Sequence, residues 1–361
     1  MSKRARNTSH YVHTPAVIIC CEILPGLRPF AQEELTERFG RHIILLANDK
    51  TDAIYCTYSG DLHDLFSLRT VTAVYLVQQF AIPRPRALLG HEHYHRLLQA
   101  ITKVRSLHAD NTFTGLRISA AGSDSPVFAA LIDQLSRDTG LLYDDDNGDL
   151  LLRVRPSALA EDGWEVLIRL TPRPLATRPW RVHNMPGALN ATIAAALIEM
   201  TNPRSTDRFL NMMCGSGTLL IERLQRCPAT LAVGCDIDAN ALAGARLNLE
   251  AANAADKVLL CAWDATELPF VAGSFNVICA DLPWGQLVGS HGDNAALYPK
   301  MLNEAARLAS PSAQLILLTH EIALFERILP LFTDMWEVQD VVKVLQGGLH
   351  PRVYMMERKR I

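Results

Sequence analysis

The 361-residue sequence is short of several things. It lacks a charge excess: 35 Lys and Arg stand against 38 Asp and Glu, a net charge of −3. Nucleic acid bound through bulk positive charge is therefore excluded, and any such binding has to rest on a local patch. No apolar run approaches the ~20 residues that a membrane-crossing helix needs. Eight cysteines are present, but none form a C-x-x-C pair. That argues against a zinc ribbon and for a reduced, cytoplasmic chain. The basic start, Met1–Arg6, precedes an apolar run at Ala16–Leu24, yet Glu22 interrupts it and no small-residue cleavage pattern follows. A signal peptide is not expected. There is no repeat of fixed period. The acidic turn Asp144–Asp149 lacks the ligand spacing and final Glu of a calcium loop. His91, His93 and His95 alternate as metal ligands on a strand would, but they open a helical pattern (Tyr94, Leu97, Leu98, Ile101). No metal site is expected.

What is present is apolar: 49% of residues are hydrophobic and 20% charged, enough for a sizeable core in two or three domains. The chain is organised around Arg208–Gly217, R-F-L-N-M-M-C-G-S-G. A short apolar run ends at Asn211, a Cys-Gly-Ser-Gly-Thr loop follows, and an apolar helical run starts at Leu219. Strand, glycine loop and helix open a doubly wound sheet, in which ligands sit at the carboxyl ends of the strands. Taken alone, a tight turn without a ligand explains the loop equally well. Three further apolar runs change that. Thr230–Asp236 ends in an acid roughly 20 residues past the glycine loop, the spacing at which a carboxylate reaches ribose hydroxyls. Val258–Asp264 also ends in an acid, and Asn276–Gly285 ends in Asp-Leu-Pro-Trp-Gly.

This order of motifs resembles the S-adenosylmethionine-dependent methyltransferases. Asp281-Leu282-Pro283-Trp284 looks like their Asn/Asp-Pro-Pro-aromatic motif, found in enzymes that methylate amino nitrogens. The form D-L-P-W-G, with Pro186-Gly187-Ala188-Leu189-Asn190 ahead of it, resembles the THUMP-domain tRNA guanine-N2 methyltransferases. The resemblance is strongest over Arg181–Ser290. It implies a Rossmann-like seven-stranded methyltransferase domain over 176–361 with its last strand antiparallel. A tail (1–15), an α+β ferredoxin-like domain (16–90) and a THUMP-like RNA-binding domain (91–175) would precede it.

The resemblance also implies roles. Cys214, Gly215, Ser216, Gly217 and Thr218 would pass under the methionine part of the cofactor, with Asn211 at the strand end and Pro186 beside them. Asp236 would bond the ribose hydroxyls next to Ile237, with Asp238 capping the following helix. Asp264 would accept from the adenine amino group, with the Ala265 amide on a ring nitrogen. Asp281, also at the cofactor, would share catalysis with Leu282, Pro283 and Trp284. Asn211 and Met212 stand where the loop usually has Asp and Pro, and Leu282 where many relatives have Pro. Asn can still hydrogen-bond, but it carries no charge.

The chemistry fits these residue types. The N2 amine of guanine is a poor nucleophile with two N–H donors, and the Asp281 carboxylate and Leu282 carbonyl can accept them. Fixed acceptors stabilise the positive charge that develops on nitrogen. Pro283 stiffens the turn, and Trp284 offers a flat face to a base that has left its stack.

In the first half, strands are expected at Ala16–Leu24, Ala53–Tyr58 and Val71–Phe80, with helices at Pro29–Phe39 and Leu62–Leu68. Pro25-Gly26-Leu27 and Leu68-Arg69-Thr70-Val71 look like the family's amino-terminal domain. Paired strands are expected at Leu150–Val154 and Trp164–Thr171. Arg153, Arg155, Arg169, Arg173, Arg178 and Arg181 cluster with few acids against them and could pair with phosphates; solvated strand faces account for any one of them as well.

The expected activity is N2-methylation of a guanosine in the tRNA acceptor stem (position 6 type), with the tRNA 3′ end as docking site and the chain taken as a monomer. The alternatives are a ribosomal RNA guanine-N2 enzyme, an adenine-N6 enzyme, or an RNA-binding protein whose methyltransferase half has decayed.

Overall fold

A computed structural model describes residues 15–285 and 290–360. The expected tail, apart from Pro15, lies outside the described residues. The chain divides into two compact units. The first comprises 1–22, 35–68 and 73–173, and the second 23–34, 69–72 and 174–361.

The first unit is built on β1 (Val17–Glu22), the end of α1 (Arg28–Phe39), β2 (Ile43–Leu46), β3 (Ala53–Tyr58) and β4 (Ala73–Phe80). It continues through α2 (His91–Arg105), β5 (Gly115–Ala120), α3 (Pro126–Thr139), β6 (Leu142–Tyr143), β7 (Leu150–Pro156) and β8 (Trp164–Arg169). All eight strands form one sheet in the order β2-β3-β1-β4-β8-β7-β5-β6. The division expected near residue 90 is no break in this sheet, because β4 pairs antiparallel with β8 from Tyr75↔Arg169 to Phe80↔Trp164. On α2, Tyr94, Leu97, Ala100, Ile101 and Val104 are buried, the three-and-four spacing of a single apolar face. The three histidines thus open a helix, as their flanking pattern indicates. The helix expected at Leu62–Leu68 is a tighter 3₁₀ turn, Leu62–Ser67, capped by the Asp61 side chain. Strand β2 was not legible in sequence: at the sheet edge, Ile44 and Leu45 are exposed, so no inward-outward alternation marks it.

The second unit holds α4 (Ala191–Met200), β9 (Arg208–Met212), α5 (Thr218–Arg226), β10 (Leu231–Asp236), α6 (Ala239–Ala251), β11 (Leu259–Ala262) and β12 (Phe275–Asp281). It ends with α7 (His291–Leu308), β13 (Ala309–Thr319), α8 (Ile322–Ile328), β14 (Trp336–Lys343) and β15 (Arg352–Arg358). The seven-stranded sheet runs β11-β10-β9-β12-β13-β15-β14. Strands β9 to β13 are parallel, and β15 is antiparallel to both neighbours. Both faces are covered, which is why these strands read as continuous apolar runs. Leu210, Ile278, Leu315 and Leu317 pack with Tyr298, Leu302 and Phe325 in one core cluster. Phe209, Val277, Ile316 and Leu318 pack with Ile193, Leu197, Leu219 and Leu220 in another. The helix expected at Glu321–Phe332 is α8 followed by a 3₁₀ turn at Leu329–Phe332, where Pro330 supplies no N–H.

Pro25–Leu27 and Arg69–Val71, expected in the amino-terminal domain, divide differently: residues 23–34 and 69–72 belong to the second unit. Leu27 is buried in the core beside α4. Glu34 accepts from the amides of Arg69 (2.9 Å) and Thr70 (2.8 Å).

Candidate active site

The sheet order reverses between β10-β9 and β12-β13, so the carboxyl ends of β9 and β12 flank the crevice where ligands bind in open α/β sheets. Strand β9 ends at Met212. The chain then turns through Met213 (φ 54°), Cys214, Gly215 (φ 51°) and Ser216 to Gly217 (φ 80°), which caps α5. The positive φ favours glycine at 217, and a Cβ there would lie a tight 3.3 Å from the Ala245 Cβ of α6. Gly215 is different: a Cβ there would meet only Met185 Sδ, at 3.9 Å. The loop leaves room above it.

The loop is tied to β10 at two points. The Cys214 amide donates to the Cys235 carbonyl (2.8 Å), and the Gly215 amide to Asp236 Oδ2 (2.8 Å). Asp236 Oδ1 accepts from the Asp238 amide (3.0 Å), while Asp238 caps α6 by accepting from Asn240 (2.8 Å). Asp236 thus braces both turns and retains lone pairs on each oxygen for further donors. Next to it, Ile237 is 76% exposed. One strand over, Asp264 Oδ1 accepts from the amide and hydroxyl of Thr266 (2.8 Å each), and the Ala265 side chain is buried.

Asn211 is buried at the end of β9. Its amide nitrogen donates to the carbonyls of Met212 (3.3 Å) and Cys279 (3.2 Å), while Oδ1 is buried without a partner among the described residues. Sequence reasoning missed Asn248. This fully buried α6 residue accepts from the His183 amide (2.8 Å) and donates to the carbonyls of His183 (3.0 Å) and Ser216 (3.1 Å). It fastens the segment leading to Pro186 beside the glycine loop. Pro186 itself is exposed.

The tetrad starts on the last residue of β12. The Leu282 amide donates to the Leu318 carbonyl (2.9 Å). Trp284 Nε1 donates to Asp281 Oδ1 (3.1 Å), and its ring stacks on His320 with centroids 5.5 Å apart and planes 27° apart. The Pro283 carbonyl accepts from Asn294 Nδ2 (2.8 Å) and from the Tyr298 hydroxyl (2.5 Å). Burial pushes the Asp281 carboxyl up to about 7, and the indole donor only partly opposes this. Asn294 and Tyr298 lie one turn apart on one face of α7, a spacing that alone could have flagged them. His320 follows the last residue of β13 and carried no signal.

The geometry can now be set beside known proteins. The family model described as UPF0020: RMKL-like, methyltransferase domain, matches residues 178–352. That stretch is a methyltransferase domain of this family. The chain is similar to the tRNA (guanine(6)-N(2))-methyltransferase THUMP3 of Mus musculus, 29% identical over 188 residues, covering 49% of this chain and 37% of the relative. It is also similar to the tRNA (guanine(6)-N2)-methyltransferase of Methanocaldococcus jannaschii, 27% identical over 214 residues, covering 49% of this chain and 56% of the relative. The chain thus covers little more than a third of the mouse relative's length. Among solved structures, TrmN from Thermus thermophilus matches with a TM-score of 0.77 and 22% identity, covering 95% of this chain and 99% of that one. SMU.472, solved in complex with SAH, matches with a TM-score of 0.66 and 15% identity over 96% of this chain. These structural likenesses are of fold.

The six arginines are not the open basic patch that the sequence suggests. In the methyltransferase domain, Arg178 is buried against Glu222 on α5 (2.9 Å), which also pairs with Arg69, and Arg181 donates to the Leu189 carbonyl (2.7 Å) and Thr218 Oγ1 (3.1 Å). In the first unit, Arg169 is buried and donates to the carbonyls of Thr171, Asp149 and Pro172. Arg153 pairs with Glu22 (2.6 Å) and Arg155 with Glu165 (2.8 Å). Only Arg173 of the six is exposed. A bare charge count cannot see that acids on other elements, Glu22 on β1, Glu165 on β8 and Glu222 on α5, meet these arginines.

Proposed function

We propose that the protein is an S-adenosylmethionine-dependent RNA guanine-N2 methyltransferase acting on tRNA. The finer reading is a guanosine of the acceptor stem, of the position 6 type, giving N2-methylguanosine. The single observation that carries it is the tetrad: a carboxylate, a hydrogen-bonded turn and an aromatic ring pre-arranged at the end of β12, beside the glycine loop. The relatives with guanine-N2 activity in their names support the substrate class.

The residues present fit the cofactor. Gly215 leaves open space, Asn211 Oδ1 is a buried acceptor without a partner among the described residues, and Asp236 stands at the next strand end. Under this reading Cys214–Thr218, Asn211 and Pro186 hold the methionyl part, Asp236 and Ile237 the ribose and one face of the adenine, and Asp264 with Ala265 the adenine edge. The cofactor supplies an activated methyl group. Asp281 and the Leu282 carbonyl accept the two amine protons and orient the nitrogen lone pair for in-line attack, where positioning carries much of the rate. As the N–C bond forms, the methyl–sulfur bond would break and the sulfur would leave as a neutral thioether, and Asp281 lies against the positive charge that develops on nitrogen. The amine proton then passes to Asp281 or to water. Trp284, backed by His320, stacks on the extruded base.

For the first half of the chain we propose the ferredoxin-like (16–90) and THUMP-like (91–175) assignments, a docking role on the tRNA 3′ end, and a cytoplasmic location. RNA contact there falls to exposed Arg173 and to Arg153 and Arg155, whose side chains keep 33% and 31% of their surface.

The test is nucleoside analysis of total RNA, separated into tRNA and ribosomal RNA, after incubation with the protein and labelled cofactor, alongside Asp281→Ala. Label in N2-methylguanosine that disappears in the variant supports the reading. Label in ribosomal RNA or in N6-methyladenosine keeps the chemistry and changes the substrate. No label on any RNA, with no cofactor binding, leaves a decayed methyltransferase on an RNA-binding protein.

A further inference from the structure

A short hydrogen-bonded relay runs from the end of β13 to the tetrad, and none of its members belongs to the tetrad itself. The Glu321 amide donates to Thr319 Oγ1 (3.0 Å). Thr319 Oγ1 lies 3.3 Å from the Tyr298 hydroxyl, which lies 2.5 Å from the Pro283 carbonyl. Carbonyls only accept, so the Tyr298 proton goes to Pro283. The Thr319 hydroxyl, already accepting from Glu321, then donates to Tyr298. Every proton in the chain has one place to go, and such chains strengthen each of their bonds. Asn294 Nδ2 reaches the same carbonyl at 2.8 Å. Thr319, Tyr298 and Asn294 are all fully buried.

A carbonyl oxygen has two lone pairs, and here both are filled. The tetrad offers a target amine three acceptors: the Asp281 carboxylate and the carbonyls of Leu282 and Pro283. The relay removes the third. No described side chain donates to the Leu282 carbonyl, while the Leu282 amide is held by Leu318. We propose that Tyr298, with Asn294 beside it, is a positioning residue that fixes which carbonyl of the tetrad accepts the target amine, by saturating Pro283 and leaving Leu282. This rests on the proposed amine methylation. The Tyr298 ring is also held edge-on to Phe325, with centroids 6.2 Å apart. Phenylalanine therefore fills the same space and removes only the hydrogen bond. Burial pushes the phenol up to about 12, so it remains a donor at any working pH.

The experiment compares Tyr298→Phe, Thr319→Val and Thr319→Ser with the wild type. Methyl transfer is measured as kcat and as KM for tRNA, cofactor affinity by calorimetry, and amide hydrogen exchange over residues 281–285. The expected result for Tyr298→Phe is a fall of about tenfold in kcat with KM and cofactor affinity unchanged, since only transition-state positioning is lost. Thr319→Val should fall in the same direction, and Thr319→Ser should recover most of that loss. Exchange at Leu282 and Trp284 should quicken while global melting moves little. An unchanged kcat in Tyr298→Phe overturns the proposal. So does a parallel loss of cofactor affinity, melting temperature and rate, which is what a purely structural bond would give. If wild type methylates no RNA, the functional reading fails on its own, and exchange still decides: unchanged protection at Leu282 and Trp284 in both Tyr298→Phe and Thr319→Val overturns the clamp.

Discussion

Trp284 Nε1 donates to Asp281 Oδ1 at 3.1 Å, so the first and last residues of D-L-P-W are bound to each other. Among the described residues, the indole is the hydrogen-bond donor that holds the Asp281 acid down against burial, which pushes it up to about 7. An ionised carboxylate accepts from the target amine more strongly than the neutral acid and opposes the positive charge that develops on nitrogen. Methyl transfer should therefore rise with pH through about 7 and level off above it. Trp284→Phe removes the opposing donor and should move that midpoint upward. A pH–rate profile of both proteins checks this, and coincident midpoints would sink the idea.

The same shift acts on stability. The folded-state acid is raised above its ordinary value of 3.8, so the folded protein favours the protonated form. This contribution is complete at low pH and is lost as pH rises from about 4 through about 7. Asp281→Asn keeps the shape and cannot ionise. It should melt a few degrees above wild type at pH 8 and show no advantage at pH 4. An equal difference at both values would assign the gain to something other than ionisation.

Asn211 stands where a charged residue is usual, but its amide nitrogen feeds two backbone carbonyls. A carboxylate there would have nothing to donate and would face both. Asn211→Asp should cost roughly 1–3 kcal/mol and should not tighten cofactor binding. Thermal melting with calorimetry on S-adenosylmethionine measures both. Unchanged melting with tighter binding would instead identify Asn211 as a degraded aspartate.

Glu222 is fully buried between Arg69 and Arg178. Removing its charge strands two guanidinium groups, and Glu222→Ala should lose on the order of 3–5 kcal/mol in denaturant unfolding. Arg173→Ala, at an exposed position, should leave stability within about 0.5 kcal/mol and weaken tRNA binding in a salt-dependent way. Equal stability losses from the two substitutions would contradict the burial pattern.

Gly217 combines a φ of 80° with a tight approach to α6, where an added Cβ would lie 3.3 Å from the Ala245 Cβ. Gly217→Ala should cost about 1–3 kcal/mol and reduce the cofactor-induced rise in melting temperature, because the strained loop has to shift against α6. A normal ligand-induced shift would show that the loop is softer than its packing implies.

The apolar runs at 208–212, 231–236 and 275–281 fixed three parallel strands, since only strands covered on both faces read that way. The residues at or next to their ends, Asn211, Asp236 and Asp281, the glycine loop and the N-cap at Asp238 were all legible. Local sequence specifies a turn, a cap and a strand end directly. Edge strand β2 was not legible, because an element half in solvent shows no alternation. The arginine cluster misled for the opposite reason: Glu22, Glu165 and Glu222 lie 131, 10 and 44 residues from Arg153, Arg155 and Arg178, which they neutralise.

The sequence by itself determined the class of chemistry, because the acids, glycines and D-L-P-W are short-range patterns whose spacing reflects strand and turn geometry. Only the tertiary structure decided how that chemistry is supported. Asn248 on α6, Asn294 and Tyr298 on α7, and Thr319 and His320 at the end of β13 reach the site from elements distant from the tetrad in sequence. No local propensity marks such residues. Their roles follow from the sheet order that brings β9, β12 and β13 side by side, and from the need of each buried polar group for a partner.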